Sequence, residues 1–590
     1  MILRYFGSGL VALVPTSLVL LILVACAQPQ DMALESNAPY EVTVEQEASP
    51  PHLESITVAA KQRSSQADVS LGFAYAPSAH LVDQRSQWHL SPADTENYAE
   101  IADNPIKQAA VDPVSTFSVD VDTGSYSNAR RFLNAGEMPP SDAIRIEEMI
   151  NYFDYGYAPP RDTDTPFTVH TEVAQTPWNK DTYLLKVGLK GYEVPQEQRP
   201  AANLVFLLDV SGSMNAPDKL PLLVSSMKLL TQQLRADDRV TIVVYAGAAG
   251  LVLEPTLGSE RAIINAALDR LSAGGSTAGG QGIELAYAMA QASKIPGGIN
   301  RIILATDGDF NVGTVRVNSL KDFVAQKRET GVSLSVLGFG RGNLNDQMVE
   351  QLSNVGNGSY AYIDTLKEGR KVLVEQVGST LMTIAKDTKI QIEFNPAVIG
   401  EYRLIGYTNR MLAHEDFNND KVDAGDIGAG HSVTALYEIA LVGSGGLQLD
   451  PLRYGQRVSP PNGPTNEFAF VKLRYKLPNE DTSTLIEIPL ETGLIEAADP
   501  PSDDFRFAAA VAAFGEKLRG GEHLGSFGYR DVETLALRAR GSDPFGYRAE
   551  FLELVRLANA MQLSGLGVPP CGDFGVGDLA RAVLCDQVAN

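Results

Sequence analysis

Asp209, Ser211 and Ser213 alternate along the chain with Gly212 between the serines, and together they offer one carboxylate and two hydroxyls. At that spacing the three oxygens can point at a common centre. Oxygen-only ligation suits a hard cation such as Mg²⁺, or another divalent ion such as Mn²⁺. Two later pieces extend the set. Thr277 follows Gly274-Gly275-Ser276, and Asp307 lies in Thr306-Asp307-Gly308. The five residues supply two carboxylates and three hydroxyls, so water or an outside ligand is left to complete an octahedron.

These groups must be brought together by the elements that carry them. Leu204–Leu208 is a continuous apolar run of the kind expected for a strand buried on both faces. Val240–Val244, Arg301–Ala305 and Ser333–Leu337 read as further strands, and helical patterns such as Leu220, Leu223, Met227, Leu230 and Leu234 separate them. Strands alternating with helices predict a doubly wound parallel sheet. Asp209 and Asp307 would then both sit at carboxyl ends of strands, where open α/β sheets bind ligands. A helix predicted over 279–292 leaves Thr277 on the loop before it.

Asp209-x-Ser211-x-Ser213, then Thr277, then Asp307 resembles the metal-ion-dependent adhesion site of von Willebrand factor type A domains. That resemblance implies that Asp209, Ser211, Ser213 and Thr277 ligate a metal directly or through water. Asp307 would act through water or from a second layer, and a carboxylate of a protein partner would complete the coordination. Further stretches are similar to the YfbK-like bacterial lipoproteins: Thr116–Tyr126, Arg130–Leu133, Arg145–Phe153, Asp416–Asp420 and Gly428–Tyr437.

Strand patterns flank the α/β segment on both sides. Phe167–Val173 and Tyr183–Leu189 precede it; Lys389–Phe394, Ala435–Leu441 and Phe468–Tyr475 follow it. The expectation is that 166–198 and 388–495 pair in one sandwich with the α/β unit inserted. The predicted organisation is a leader over 1–25, a tether over 26–95, an α+β region over 96–165 and a β segment over 166–199. A von Willebrand type A domain over 200–386, a β-rich domain over 387–497 and a helical region over 498–590 follow. In that last region Ser502 opens a helix with Phe507, Val511, Phe514 and Leu518 on one face.

Leu23-Val24-Ala25-Cys26 closes an apolar segment and resembles the lipobox of bacterial lipoproteins, which implies cleavage before Cys26 and its acylation. Residues 27–95, rich in Ala, Ser, Pro, Gln and Glu, would then tether the body to a membrane. Ala27, in place of Asp, points to the outer membrane, with the body in the periplasm or at the surface. In an oxidising compartment Cys571 and Cys585 are candidates for one disulfide, the alternative being two buried thiols. The net charge of -24 argues against a nucleic-acid partner. It fits cations, basic partners or plain solubility.

Three weaker patterns complete the reading. Asp416-x-Asn418-x-Asp420, followed by Asp423 and Asp426, is similar to a Ca²⁺ loop, but Lys421 stands where the sharp turn wants Gly and no Glu closes it. A polar hairpin turn is the alternative. Asp120 and Asp122 precede a helix that Thr123 or Ser125 would cap. Ser141 is expected to cap the next helix. No nucleophile elbow, zinc-protease motif or P-loop occurs. The expectation is therefore a metal-dependent binding module rather than an enzyme, with an envelope scaffold or assembly factor holding a purely structural metal as the alternative.

Overall fold

The computed structural model describes residues 96–564, except 163, 276–278, 309–316, 451–465 and 497–499. The leader, the tether, Cys26, Thr277 and the two C-terminal cysteines lie outside the described residues.

In chain order, β1 (Lys107–Gln108) and β2 (Val114–Ser118) lead to helices α1 (Gly124–Asn134) and α2 (Ile146–Asn151), then to the hairpin of β3 (Phe167–Thr176) and β4 (Asn179–Gly191). The α/β unit contributes β5 (Ala202–Asp209), β6 (Arg239–Tyr245), β7 (Ala249–Leu257), β8 (Ile299–Thr306), β9 (Ser333–Phe339) and β10 (Tyr360–Ile363). Its helices are α3 (Leu220–Gln232), α4 (Arg261–Asp269), α5 (Gly279–Ala292), α6 (Val317–Arg328), α7 (Asp346–Val355), α8 (Leu366–Arg370) and α9 (Val377–Leu381), with a π turn at Lys371–Glu375. Then come β11 (Thr383–Phe394), β12 (Ile399–Ile405), β13 (Gly425–Gly428), β14 (Ser432–Leu441), β15 (Glu467–Lys476) and β16 (Thr484–Glu491). Helices α10 (Gly493–Glu496), α11 (Asp503–Leu518), α12 (Tyr529–Arg538) and α13 (Tyr547–Ser564) follow.

The α/β unit is a six-stranded sheet in the order β10-β9-β8-β5-β6-β7, parallel except for β7. Every residue of β5 is buried. Its alternation divides the apolar run between two cores. Leu204, Phe206 and Leu208 pack with Leu223, Met227 and Ile264, while Val205 and Leu207 pack with Ile283, Tyr287 and Val324 on the opposite face. A strand covered on both sides has no solvent face to keep polar, which explains the unbroken apolar sequence. The edge strand β7 and the short β10 complete the sheet beyond the four strands read from the sequence.

The flanking segments form a sandwich. One sheet runs β1-β12-β14-β4-β3, and the other runs β13-β11-β15-β16 with β2 also against β11. Strand β4, before the α/β unit, thus pairs with β14 after it, in register from Lys190↔Ser432 to Tyr183↔Ile439. Phe117, Val187, Ile392, Phe394, Tyr437 and Val471 fill the space between the sheets. Helices α1, α2, α11, α12 and α13 share another core around Met149, Phe153, Phe507, Phe514 and Phe551. The N-terminal α+β region and the C-terminal helices, separate in the sequence reading, are therefore one packed body. Ser502 caps α11, its Oγ accepting from the Phe505 amide at 3.1 Å. Among the described residues no helix is long and apolar enough to cross a membrane.

Two capping expectations fail. Ser141 opens a 3₁₀ turn (Ser141–Ala143), and α2 starts after Arg145. Neither Thr123 nor Ser125 caps α1 through its side chain. The Ser125 amide donates to Glu148 at 2.7 Å and the Ser125 hydroxyl accepts from the Arg145 amide. The carboxylate of α2 does the capping from across the interface, and local spacing cannot reveal that.

Buried arginines join the α/β unit to its surroundings. Arg145, 2% exposed, pairs with Glu148 of α2, the helix it precedes, and with Asp346 of α7 at 2.6 Å. Arg410 binds Asp120 at 3.0 Å, Asp122 at 3.2 Å and Glu350 of α7 at 3.4 Å. Arg130 bridges Asp364, Glu368 of α8 and Glu550 of α13. Removing one member of a buried pair leaves an uncompensated charge. Arg145→Ala is therefore expected to lower unfolding free energy by about 3–5 kcal/mol, read as a shift in urea midpoint. Arg556→Ala, at an exposed pair with Glu533, is expected to cost under about 1 kcal/mol.

Candidate metal centre

Asp209 ends β5 and Asp307 follows β8, the neighbouring parallel strand, so both carboxylates stand at the same edge of the sheet. Both are fully buried. The Ser211 amide donates to Asp209 Oδ1 at 2.8 Å, and the Thr306 hydroxyl reaches Oδ2 at 3.3 Å. Ser211 Oγ and Ser213 Oγ lie 3.0 Å apart. The loop leading to Thr277 is pinned beside them, because Gly274 donates to the Val210 carbonyl at 2.8 Å and Gly212 donates to the Gly275 carbonyl at 3.0 Å. Asp209, Ser211 and Ser213 thus converge as oxygen donors, a set that fits a hard divalent cation. Thr277 itself lies outside the described residues.

The structure adds a residue that spacing did not suggest. Lys219, one residue before α3, sends Nζ to Asp307 Oδ2 at 2.9 Å and to Asn343 Oδ1 at 2.8 Å. Its stem crosses Gly340, whose φ is +72° and where a Cβ would stand 2.3 Å from Lys219 Cγ. The Asp307–Gly308 turn is equally committed, since Gly308 has φ +87° and a Cβ there would meet the Asn345 amide at 2.4 Å. The loop that carries Asn343 is held in turn by the first described residues: Gly342 donates to Glu96 at 2.8 Å, and Asn97 donates to the Leu344 carbonyl at 2.9 Å.

The two carboxylates have opposite electrostatic settings. Burial pushes Asp209 up to about 6, against the lowering effect of its hydrogen bonds from Ser211. Burial also acts on Asp307, but hydrogen bonding to Asn343 and the Lys219 ammonium outweigh it and hold the carboxyl below the usual range. Asp307 is therefore already neutralised by an internal cation. Asp209 carries the charge for which a bound cation would compensate.

A second acidic group lies away from this edge. Asp120, Asp122 and Glu148 are buried with ligand-capable oxygens within 4.8 Å of one another. Their oxygens already accept from protein donors: Asp120 from Arg410 and the Asp122 amide, Asp122 from Arg410 and the Tyr360 amide, and Glu148 from Arg145 and the Ser125 amide. Guanidinium groups supply the positive charge there.

The Asp416–Asp426 stretch is not a hairpin turn, since it crosses from β12 in one sheet to β13 in the other. Asn418 Oδ1 accepts from Arg474 at 2.9 Å, and the Asp420 carboxylate accepts from Ser483. Lys389 binds the Asp416 and Asn419 carbonyls, and Lys476 binds that of Asp420. Asp426 Oδ1 accepts from the Asp387 amide at 3.2 Å. Asn418 and Asp420 are thus engaged separately, while Asp426 Oδ2 is buried without a hydrogen-bond partner and burial and the neighbouring Asp387 and Asp423 charges push that carboxyl up to about 7.

Two variants test the centre. A carboxyl raised from its ordinary value to about 6 keeps its proton in the fold while the unfolded chain loses it. Its contribution to stability is thus present below pH 4 and lost as pH rises to 6. In EDTA at pH 7, Asp209→Asn is expected to be more stable than the parent by about 1–3 kcal/mol. Excess Mg²⁺ is expected to raise the melting temperature of the parent alone. Lys219→Met unpairs buried Asp307 and is expected to lower metal-free stability by about 3–5 kcal/mol. The same variant is expected to tighten Mg²⁺ binding several-fold in calorimetry, because no internal ammonium then compensates Asp307 or repels the cation.

Comparison with known proteins agrees with this architecture. The von Willebrand factor type A domain model matches residues 203–373, which include all five candidate ligands. The description "Uncharacterized protein YfbK, C-terminal" matches 379–561, and a von Willebrand factor model matches 92–186. YfbK of Escherichia coli (strain K12) is 47% identical over 493 residues, covering 82% of this chain and 85% of its own. Protein sll0103 of Synechocystis is 24% identical, covering 58% and 80% respectively. Among solved structures, a von Willebrand factor type A protein from Catenulispora acidiphila aligns at 16% identity and TM-score 0.39, covering 68% of this chain and 91% of its own. The ArnB paralog VWA2 from Sulfolobus acidocaldarius aligns at 15% identity and TM-score 0.33, covering 67% and 98%. The chain belongs to the YfbK family and carries a von Willebrand factor type A domain.

Proposed function

We propose that the protein is a membrane-anchored, Mg²⁺-dependent protein-binding module of the cell envelope, and that it has no catalytic activity. The observation that carries this reading is the convergence of Asp209, Ser211 and Ser213 beside an Asp307 already paired with Lys219. A divalent cation held there, with Thr277 as a further ligand, would supply a positive centre receptive to a partner's carboxylate. Asp209 provides the formal charge of the set, the serines orient neutral oxygens, and Asp307 holds Lys219 and its loop in place. With so few anionic ligands the centre retains net positive charge, and a partner's acidic side chain is the natural complement. In this reading Cys26 carries the lipid and residues 27–95 give the body reach, at the outer membrane.

One observation favours a second reading. Lys219 already supplies a positive charge at Asp307, so the fold has an internal cation at its metal edge. A scaffold or assembly factor with a purely structural metal would use the site to hold loops rather than to bind a partner.

Affinity capture from solubilised envelopes with the full-length chain separates the two. Under the leading reading, EDTA and Asp209→Ala each abolish the captured partner, and Mg²⁺ restores it to the parent only. Capture that survives both treatments, with the circular dichroism spectrum unchanged, overturns that reading in favour of the scaffold.

A further inference from the structure

A cavity of about 870 Å³ opens where the two chain passages joining the α/β unit to the sandwich run side by side. Its walls come from the end of α2, the residues after β4, the π turn and α9, the turn before β14, and the starts of α11 and α13. That volume lies within the range of small-molecule sites, which combine apolar walls with a few placed polar groups.

Most charged groups in the wall are already committed. Arg199 is held by buried Asp238 at 2.6 Å, and Arg548 by Asp504 at 2.6 Å. Glu375 accepts from the Tyr547 hydroxyl at 2.8 Å, Asp543 accepts from the Arg548 and Ala549 amides, and Lys190 donates to the Gly430 carbonyl. Asp154 accepts from the Gly156 amide, Glu193 lies 3.6 Å from Lys190 and Asp503 pairs with Arg506, and two side chains in the wall carry buried atoms without a partner. Lys371 is 3% exposed, and its Nζ has no hydrogen-bond partner. No carboxylate lies within 4.0 Å of it among the described residues. It rests 3.4 Å from the centre of the Tyr152 ring and 5.6 Å from that of Tyr547, both of which line the cavity. Glu368, the acidic group that acts on it most, is bound through Oε2 to Arg130 and Tyr152, while its Oε1 is buried without a hydrogen-bond partner and lies more than 4.0 Å from the ammonium. His431 Nδ1 is likewise sealed from solvent without a partner. Burial holds this imidazole neutral, and the nearby Lys190 and Lys371 charges reinforce that.

Burying an ammonium with no hydrogen-bond partner is costly unless its environment compensates it in full. A lysine stem is flexible enough to swing its head into an adjoining space. We propose that this cavity binds a small amphipathic anion, its carboxylate or phosphate head paired with Lys371 and hydrogen-bonded by His431. The apolar body would lie against Val121, Val194, Val377, Met382 and Phe545, which line the same space. The site is independent of the metal centre.

Isothermal titration of the full-length chain with decanoate, decyl phosphate, decylammonium and decanol tests this. One anionic probe is expected to bind at one site per chain, about ten-fold or more tighter than decylammonium and decanol. Whichever of decanoate and decyl phosphate binds tighter identifies the head group. Lys371→Met and His431→Leu are each expected to weaken that probe, Lys371→Met by about ten-fold or more, and EDTA is expected to leave binding unchanged. Equal affinity for the cationic or neutral probe overturns the proposal. So does unaltered affinity in both variants, or no anion binding at millimolar concentration. If Lys371→Met does not fold, His431→Leu and the probe comparison decide.

Discussion

The pairing of β4 with β14 is the constraint on which the body depends. It brings Lys190 beside Ser432 and closes the sandwich across the whole α/β unit. Once that pairing forms, the α/β unit must leave and re-enter the sandwich through two nearby passages. Such a long loop is entropically tolerable because the closure cost grows only slowly with length. The inserted unit also folds around its own two cores, so it does not draw on the sandwich for burial.

An insertion held only at its ends would be free to swing, and the buried arginines restrict that. Arg145, Arg410 and Arg130 each engage acidic groups from more than one part of the chain, and Asp346, Glu368 and the Tyr360 amide belong to the inserted unit. Charges buried this deeply gain little over an apolar packing of the same shape, yet they are severe when misplaced. They therefore act as register pins.

At that edge the division of labour between two aspartates is electrostatic. Asp307 has an internal ammonium, and Asp209 does not. A site built this way carries less negative charge than its count of carboxylates suggests. That favours a cation that keeps positive character for an outside ligand.

Much of this was legible in the linear sequence, for a local reason. A strand covered on both faces writes itself as an unbroken apolar run, and the parallel arrangement puts the polar residues that follow at one edge. Leu204–Leu208 with Asp209, Ser211 and Ser213 could thus be read directly, as could the helix over 279–292 and the Ser502 cap of α11. Lys219 could not, because its partner Asp307 is 88 residues away and no periodicity links them. Arg130 and Glu550, 420 residues apart, illustrate the same limit, as does Glu148 capping α1 in place of Thr123 or Ser125. In the Asp416–Asp426 stretch the spacing of oxygens suggested one centre, but Arg474 of β15 and Ser483 before β16 reach it from remote sequence and engage Asn418 and Asp420 separately. Local pattern determined which residues stand at strand ends and which faces are buried. The pairing of buried charges, and the cavity between the two passages, were decided only when remote segments packed together, because compensation of charge in a low-dielectric interior depends on distance in space.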